Sequence, residues 1–129
     1  MNNPALTNLA LLAGRVLIAI PFLLGGYNKI GGFAGTQKYM EAFGVPGILL
    51  PLVILFEIGA GLLLVAGFQT RLTALALAGF TLVAGVLFHG KIADPVQGIM
   101  FFKNVAMAGG MLALFVAGAG AYSVDARRR

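Results

Sequence analysis

The chain has 129 residues, 60% of them hydrophobic and 10% charged, with a net charge of +5. So short a chain makes one domain by length, and it cannot bury that much apolar surface in a water-soluble core, where the apolar share is about 45–50%. It has no cysteine, which removes disulfides, thiolate chemistry and iron–sulfur ligation, and its basic residues are scattered except for Arg127, Arg128 and Arg129, a pattern of a membrane-surface tail and not of a nucleic-acid binder.

The sequence therefore predicts an all-α, polytopic membrane four-helix bundle in a single domain over residues 1–129. A span needs about 20 apolar residues for a hydrocarbon core ~30 Å thick. Four segments meet that length: 8–29, 47–67, 72–89 and 98–118. The N-terminus lacks the basic flank and small-residue cleavage site of a removable signal peptide.

In the first span, Arg15, Ala19, Phe22, Gly26 and Lys29 recur at spacings of four and three, so they share one helical face. Pro21 frees the Leu17 carbonyl and is a candidate kink. The link that follows is long, and residues 35–43 suit a short helix in the membrane interface, with Phe33, Tyr39, Met40 and Phe43 as anchors.

The second span contains Glu57 in an otherwise apolar run, near the bilayer midplane. Gln69, Thr70 and Arg71 leave room only for a tight turn, so the second and third spans form an antiparallel hairpin. The third span has a small-residue stripe, Ala74, Ala78, Thr81 and Gly85, ending in His89, the single histidine. Asp94, Pro95 and Gly98 carry the turn signals of the last link. The fourth span has its own stripe of Lys103, Ala106, Gly110, Ala113 and Ala117, with Asn104 beside it. Small residues mark helix contacts in membranes, so each polar residue is expected to face a neighbouring helix. Four spans place both ends on one side, with Arg71 and the terminal arginines, and the positive-inside rule makes that side the cytoplasm.

Ionisable groups inside spans are costly and face the bundle interior. Two readings of Glu57 stand side by side. In one, it pairs with Arg15 and ties the first helix to the second. In the other, it is the floor of a ligand pocket, with Lys29, His89, Lys103 and Asn104 nearer the mouth. Lys29 and Lys103 can equally snorkel to the surface, and His89 can serve as an interfacial hydrogen-bonder. A metal site is not expected, because one histidine without cysteines is too few ligands, and no catalytic residue set stands out.

Taken together, Arg15, the segment GGYNKIGGFAGTQKYMEAFGVPG, LFEIGAGLLLVAGFQTR across the second span, and LFHG with MFFKN around the last link resemble the DoxX family of small four-helix membrane proteins, closest to its bacterial inner-membrane members. The likeness covers nearly the whole chain. It implies the four-helix architecture and association with membrane redox complexes. The family takes its name from a subunit associated with a thiosulfate:quinone oxidoreductase, and members are labelled quinol oxidase subunits. The first functional expectation is thus an accessory subunit that binds a quinone, with the bilayer and an oxidoreductase or a second copy as partners. The chain has no self-contained catalytic motif, so electrons would have to come from elsewhere. A small-molecule carrier or exporter, and a scaffold whose charges only lock the bundle, are the alternatives.

Overall fold

The computed structural model describes residues 3–127. Arg128 and Arg129 of the basic tail lie outside the described residues. The fold is all-α, a membrane bundle of four long apolar helices, with no strand among the described residues.

Helix α1 spans Pro4–Gly31. Asn3 starts it by accepting from the Ala5 and Leu6 amides at 3.0 and 3.3 Å, and Pro4 occupies the first turn, where no amide hydrogen is needed. The helix begins four residues before the expected span because these capping signals set its start, not the onset of hydropathy. It runs unbroken through Pro21. At ~1.5 Å per residue its 28 residues reach about 42 Å, longer than the hydrocarbon core.

The short helix expected in the first link is α2, Phe33–Ala42. Tyr39 and Phe43 join Phe88 in a three-ring cluster, with centroids 4.9–5.5 Å apart, which holds α2 across the end of a neighbouring helix. Gln37 adds a hydrogen bond to the Gly47 carbonyl at 3.0 Å. A 3₁₀ turn, Gly47–Leu49, then leads into α3, Leu50–Ala66.

Gly67 ends α3 at φ 73°, in the left-handed region. Phe68 N–H reaches the Leu63 carbonyl at 3.0 Å and Gly67 N–H the Leu64 carbonyl at 3.2 Å, a Schellman closure. Helix α4 is Thr70–His89 and α5 is Pro95–Ala117. Asp94 caps α5 through the Val96 and Gln97 amides at 2.9 and 3.2 Å, so the Asp–Pro pair in the last link is a helix start and α5 begins three residues earlier than expected.

The chain packs as two helix pairs, α1 with α3 and α4 with α5. The tight turn does join α3 to α4, yet these two pack on each other much less than each packs on its partner. Close approach explains the pairing. A Cβ on Gly26 would lie 2.5 Å from Ile58 Cγ1, and one on Gly61 2.7 Å from Leu23 Cδ2, so α1 and α3 need glycine at both crossings. A core of Ala19, Phe22, Ala60, Leu64, Ala74, Leu77, Ala78, Ala108, Met111 and Leu114 joins the pairs.

One expected face is reversed. The α5 stripe of Ala106, Gly110, Ala113 and Ala117 is exposed, and Lys103 at its head is exposed too. The inward face of α5 is Met107, Ala108, Met111 and Leu114, with Asn104 half-buried at its start. The small stripe of α4 leaves the room, and the larger residues of α5 fill it; Gly85 lies against the Asn104 side chain at 3.3 Å from its would-be Cβ.

After Gly118, residues 119–127 fold back over the end of the bundle that holds both chain ends, finishing in the single turn α6, Val124–Arg127. The Ala121 amide donates to Asn8 Oδ1 at 2.9 Å and the Asp125 amide to the Gly67 carbonyl at 2.9 Å. The Asp125 carboxylate accepts from the Gln69 and Thr70 amides at 2.7 and 2.9 Å. Gln69, in a left-handed conformation at φ 51°, caps nothing with its own side chain, so α4 receives its N-terminal cap from a residue 55 positions away.

Candidate functional site

The end of the bundle away from the termini holds a half-open cavity of about 380 Å³ between the two helix pairs. That volume falls in the range of small-molecule pockets, ~300–1,000 Å³. Its walls are mostly apolar. Phe22 comes from α1, Tyr39 and Met40 from α2, Val53 from α3, Phe80 and Phe88 from α4 and Met107 from α5. The polar residues Lys29, Glu57, Thr81, His89, Lys103 and Asn104 line it as well.

Glu57 is 5% exposed, and its partner is Lys29, with Nζ 2.7 Å from Oε1. The ammonium contacts the carboxylate outside hydrogen-bond geometry, since Oε1 has no hydrogen-bond partner. The pair is therefore an ion pair held by charge and not a well-directed donor–acceptor bond. Gly25 makes space for it: a Cβ there would lie 3.2 Å from Glu57 Oε2 and 3.5 Å from Lys29 Nζ. The Lys29 side chain remains 30% exposed.

The other polar groups differ in what they have left to offer a ligand. Asn104 donates from Nδ2 to the Thr81 carbonyl at 3.1 Å, which fastens α5 to α4. His89 Nδ1 is hydrogen-bonded to Gln97 Oε1 at 2.8 Å. The role left to Nε2 follows the ring's tautomer and the orientation of the Gln97 amide. Thr81 is 3% exposed and its Oγ1 has no hydrogen-bond partner. Lys103 stands exposed at the cavity wall.

Arg15 belongs to the opposite end, and the expected tie to Glu57 does not form. Its Nη1 donates to the Leu64 and Val65 carbonyls at 2.9 and 3.1 Å, and its Nη2 to the Tyr122 carbonyl at 2.5 Å. Register explains the separation. A Cβ on Gly61 would sit 3.5 Å from the Ala19 carbonyl and one on Gly26 3.5 Å from the Ile54 carbonyl, so antiparallel α1 and α3 set Glu57 beside Gly25. Arg15 lies ten residues away, roughly 15 Å along α1. What it meets there are the last carbonyls of α3, that of Val65 and that of Leu64, which also accepts from Gly67, at the negative end of the helix dipole. The fully buried guanidinium thus donates to backbone carbonyls, the Asp125 carboxylate adds an electrostatic attraction, and Nε is left without a hydrogen-bond partner.

Among the site residues, Thr81, Gln97 and Phe88 gave no functional signal in the sequence. Thr81 read as one more small residue of its stripe, although its spacing of eight from His89 places both on one face of α4. Gln97 looked like part of a turn.

A model of the DoxX family matches residues 10–90. The inner membrane protein YqjF of Escherichia coli (strain K12) is 52% identical over 120 residues, 93% of this chain and 92% of that protein. Inner membrane protein YphA of the same organism is 37% identical over 125 residues, 91% of this chain and 89% of its own. CatD of Bacillus subtilis (strain 168), provisionally named an oxidoreductase, is 29% identical over 84 residues, 65% of this chain and 61% of its own. No solved structure matches the chain.

Proposed function

The chain belongs to the DoxX family and is an integral membrane protein, and from that premise we propose that it binds a quinone-type molecule in the cavity and serves a membrane oxidoreductase as an accessory subunit. The observation that carries this reading is the buried, charge-bearing wall of an otherwise apolar, aromatic-lined cavity about 380 Å³ in volume. The apolar lining, with Phe22, Phe80 and Phe88 among its residues, suits a flat apolar ring. Its polar edge meets Lys103, the unpartnered Thr81 hydroxyl and the Lys29–Glu57 pair. A bound quinone would supply the two-electron, two-proton chemistry that these side chains lack. The chain's own part is to orient the ring, exclude water and hold charge beside it. The provisional oxidoreductase name of CatD, a distant relative, adds support for a redox setting.

A carrier would need a route to the other end of the bundle. Below the cavity lie the packed core of Leu64, Leu77 and Met111 and then the strap over Arg15, an arrangement that favours a binding site over a path. In this reading the protein sits in the bacterial inner membrane, as its Escherichia coli relatives do by name, with both termini in the cytoplasm beside Arg71 and the basic tail. An alkaline phosphatase fused to the C-terminus, active only outside the cytoplasm, is expected to stay silent; strong activity reverses the orientation.

The function is tested by purifying the protein in mild detergent, extracting it with organic solvent and recording the quinone spectrum. About one quinone per chain is expected, or uptake to that level when a short-chain quinone is added. A protein that carries none and takes up none has another function.

A further inference from the structure

The two walls of the cavity carry unequal charge. On the side of α1 and α3, the Lys29 ammonium and the Glu57 carboxylate lie 2.7 Å apart and offset one another. On the side of α4 and α5, Lys103 has no carboxylate within ion-pair distance among the described residues, and no acid besides Glu57 lines the cavity. Lys103 sits eight residues into α5, roughly 12 Å along the helix. A charge at such depth that meets neither water nor a counter-ion is costly. A lysine that only snorkels would stand alone, but this one shares its wall with a second donor. Thr81 Oγ1 is buried without a hydrogen-bond partner, and the Thr81 carbonyl is bonded to Asn104, the residue next to Lys103 in α5. An ammonium and a hydroxyl, neither with an acceptor among the described residues, thus come to one cavity. What such a pair takes is an oxyanion. The rest of the lining, Phe22, Phe80, Phe88 and Met107 among it, is apolar and suits an organic body over a hydrated inorganic ion.

We infer that the cavity binds a lipophilic acid, a molecule with an apolar body and an oxyanion head, held by the Lys103 ammonium and the Thr81 hydroxyl. This goes beyond the quinone reading and needs only the cavity, not a quinone as its occupant. Glu57 does not repel the head, because Lys29 offsets its charge at contact distance.

The test uses the full chain in phosphatidylcholine nanodiscs, with empty nanodiscs as the blank for partitioning. Three probes of equal chain length are titrated: dodecanoate, methyl dodecanoate and dodecanol. Dodecanoate is expected to bind roughly 10- to 100-fold more tightly than the other two, the difference made by a charge-assisted bond to its head. Its isotope-labelled carboxyl carbon, followed by NMR, should give a signal apart from bilayer-dissolved acid and titrate at lower pH, since a neighbouring ammonium favours the carboxylate. Lys103→Gln should cut the preference to within about threefold and abolish the shifted titration, while Lys103→Arg keeps both. Thr81→Val should weaken dodecanoate binding by roughly 3- to 10-fold, the loss of one hydroxyl donor. Phosphatidylglycerol added to the discs separates two sources of the oxyanion: displacement of dodecanoate assigns the site to a lipid phosphate, and retention assigns it to a free acid. Equal affinities for the three probes, a preference that survives Lys103→Gln, or an unshifted titration overturns the inference and leaves Lys103 as a snorkelling anchor. The quinone reading is judged apart from it, by solvent extraction of the purified protein, so either can fall alone.

Discussion

At the end of the bundle that holds both termini, a buried cation is surrounded by acceptors. Arg15, 0% exposed, reaches three backbone carbonyls on α3 and the C-terminal strap, and the strap itself is fastened through Asn8, Gly67, Gln69 and Thr70. At the other end a buried anion has one off-axis partner and a cavity in front of it. Both ends place an ionisable side chain inside an apolar bundle, where an unpaired charge is costly. One end meets that cost mainly with backbone carbonyls, which are fixed wherever the helices are fixed, helped by the Asp125 carboxylate. The other leaves it partly unmet, next to open volume. A group bonded across two segments serves the fold, while one with few bonds beside a cavity is suited to a ligand.

The contrast can be broken by substitution. Arg15→Met should have the largest effect, about 3–5 kcal/mol of lost stability, because it strands the Val65 and Tyr122 carbonyls, takes one of two donors from Leu64 and releases the strap. Titration of the purified protein with denaturing detergent, followed by helicity, measures it. Arg15→Lys should recover little, since one ammonium lacks the planar fork that reaches two segments at once. A loss under 1 kcal/mol for Arg15→Met would mean that the strap holds without its cation.

At the cavity end the expected effect on stability is smaller. Lys29→Met with Glu57→Gln together should change stability by no more than ~1 kcal/mol, because Lys29 is partly solvent-screened and a dehydrated ion pair is readily replaced by neutral groups. Each single variant should cost more than the double, a coupling that a double-mutant cycle reads directly. If the paired substitution matched Arg15→Met in cost, both ends would be structural and the difference between them would vanish.

The two ends were also unequally readable in the sequence. Four spans follow from hydropathy. Lys29, Glu57, His89, Lys103 and Asn104 could be grouped because each is a rare polar residue whose helical spacing gives its face and whose position gives its depth, and all five line one cavity. Arg15 was equally conspicuous, but its partners were not. Backbone carbonyls exist at every position and leave no mark on residue type, so a search for a matching charge led to Glu57. The strap was hidden for the same reason. Nothing local to Gln69 or Thr70 indicates that Asp125 will cap α4. The outward turn of the α5 small-residue stripe had a different cause: close packing requires a small residue on one helix of a pair, and α4 already supplied it with Gly85 and Ala78.

The cap that Asp125 places on α4 also imposes an order on biogenesis. The amides of Gln69 and Thr70 leave the ribosome 55 or more residues ahead of the carboxylate that will receive them. At translation rates of roughly 5–20 residues per second, the α3–α4 turn exists for on the order of 3–10 s before its cap is synthesised. During that interval only water can satisfy those amides, so the turn must stay at the aqueous surface while α5 is inserted. The arrival of Asp125 and the docking of the strap on Arg15 then seal that end after the last span is in place.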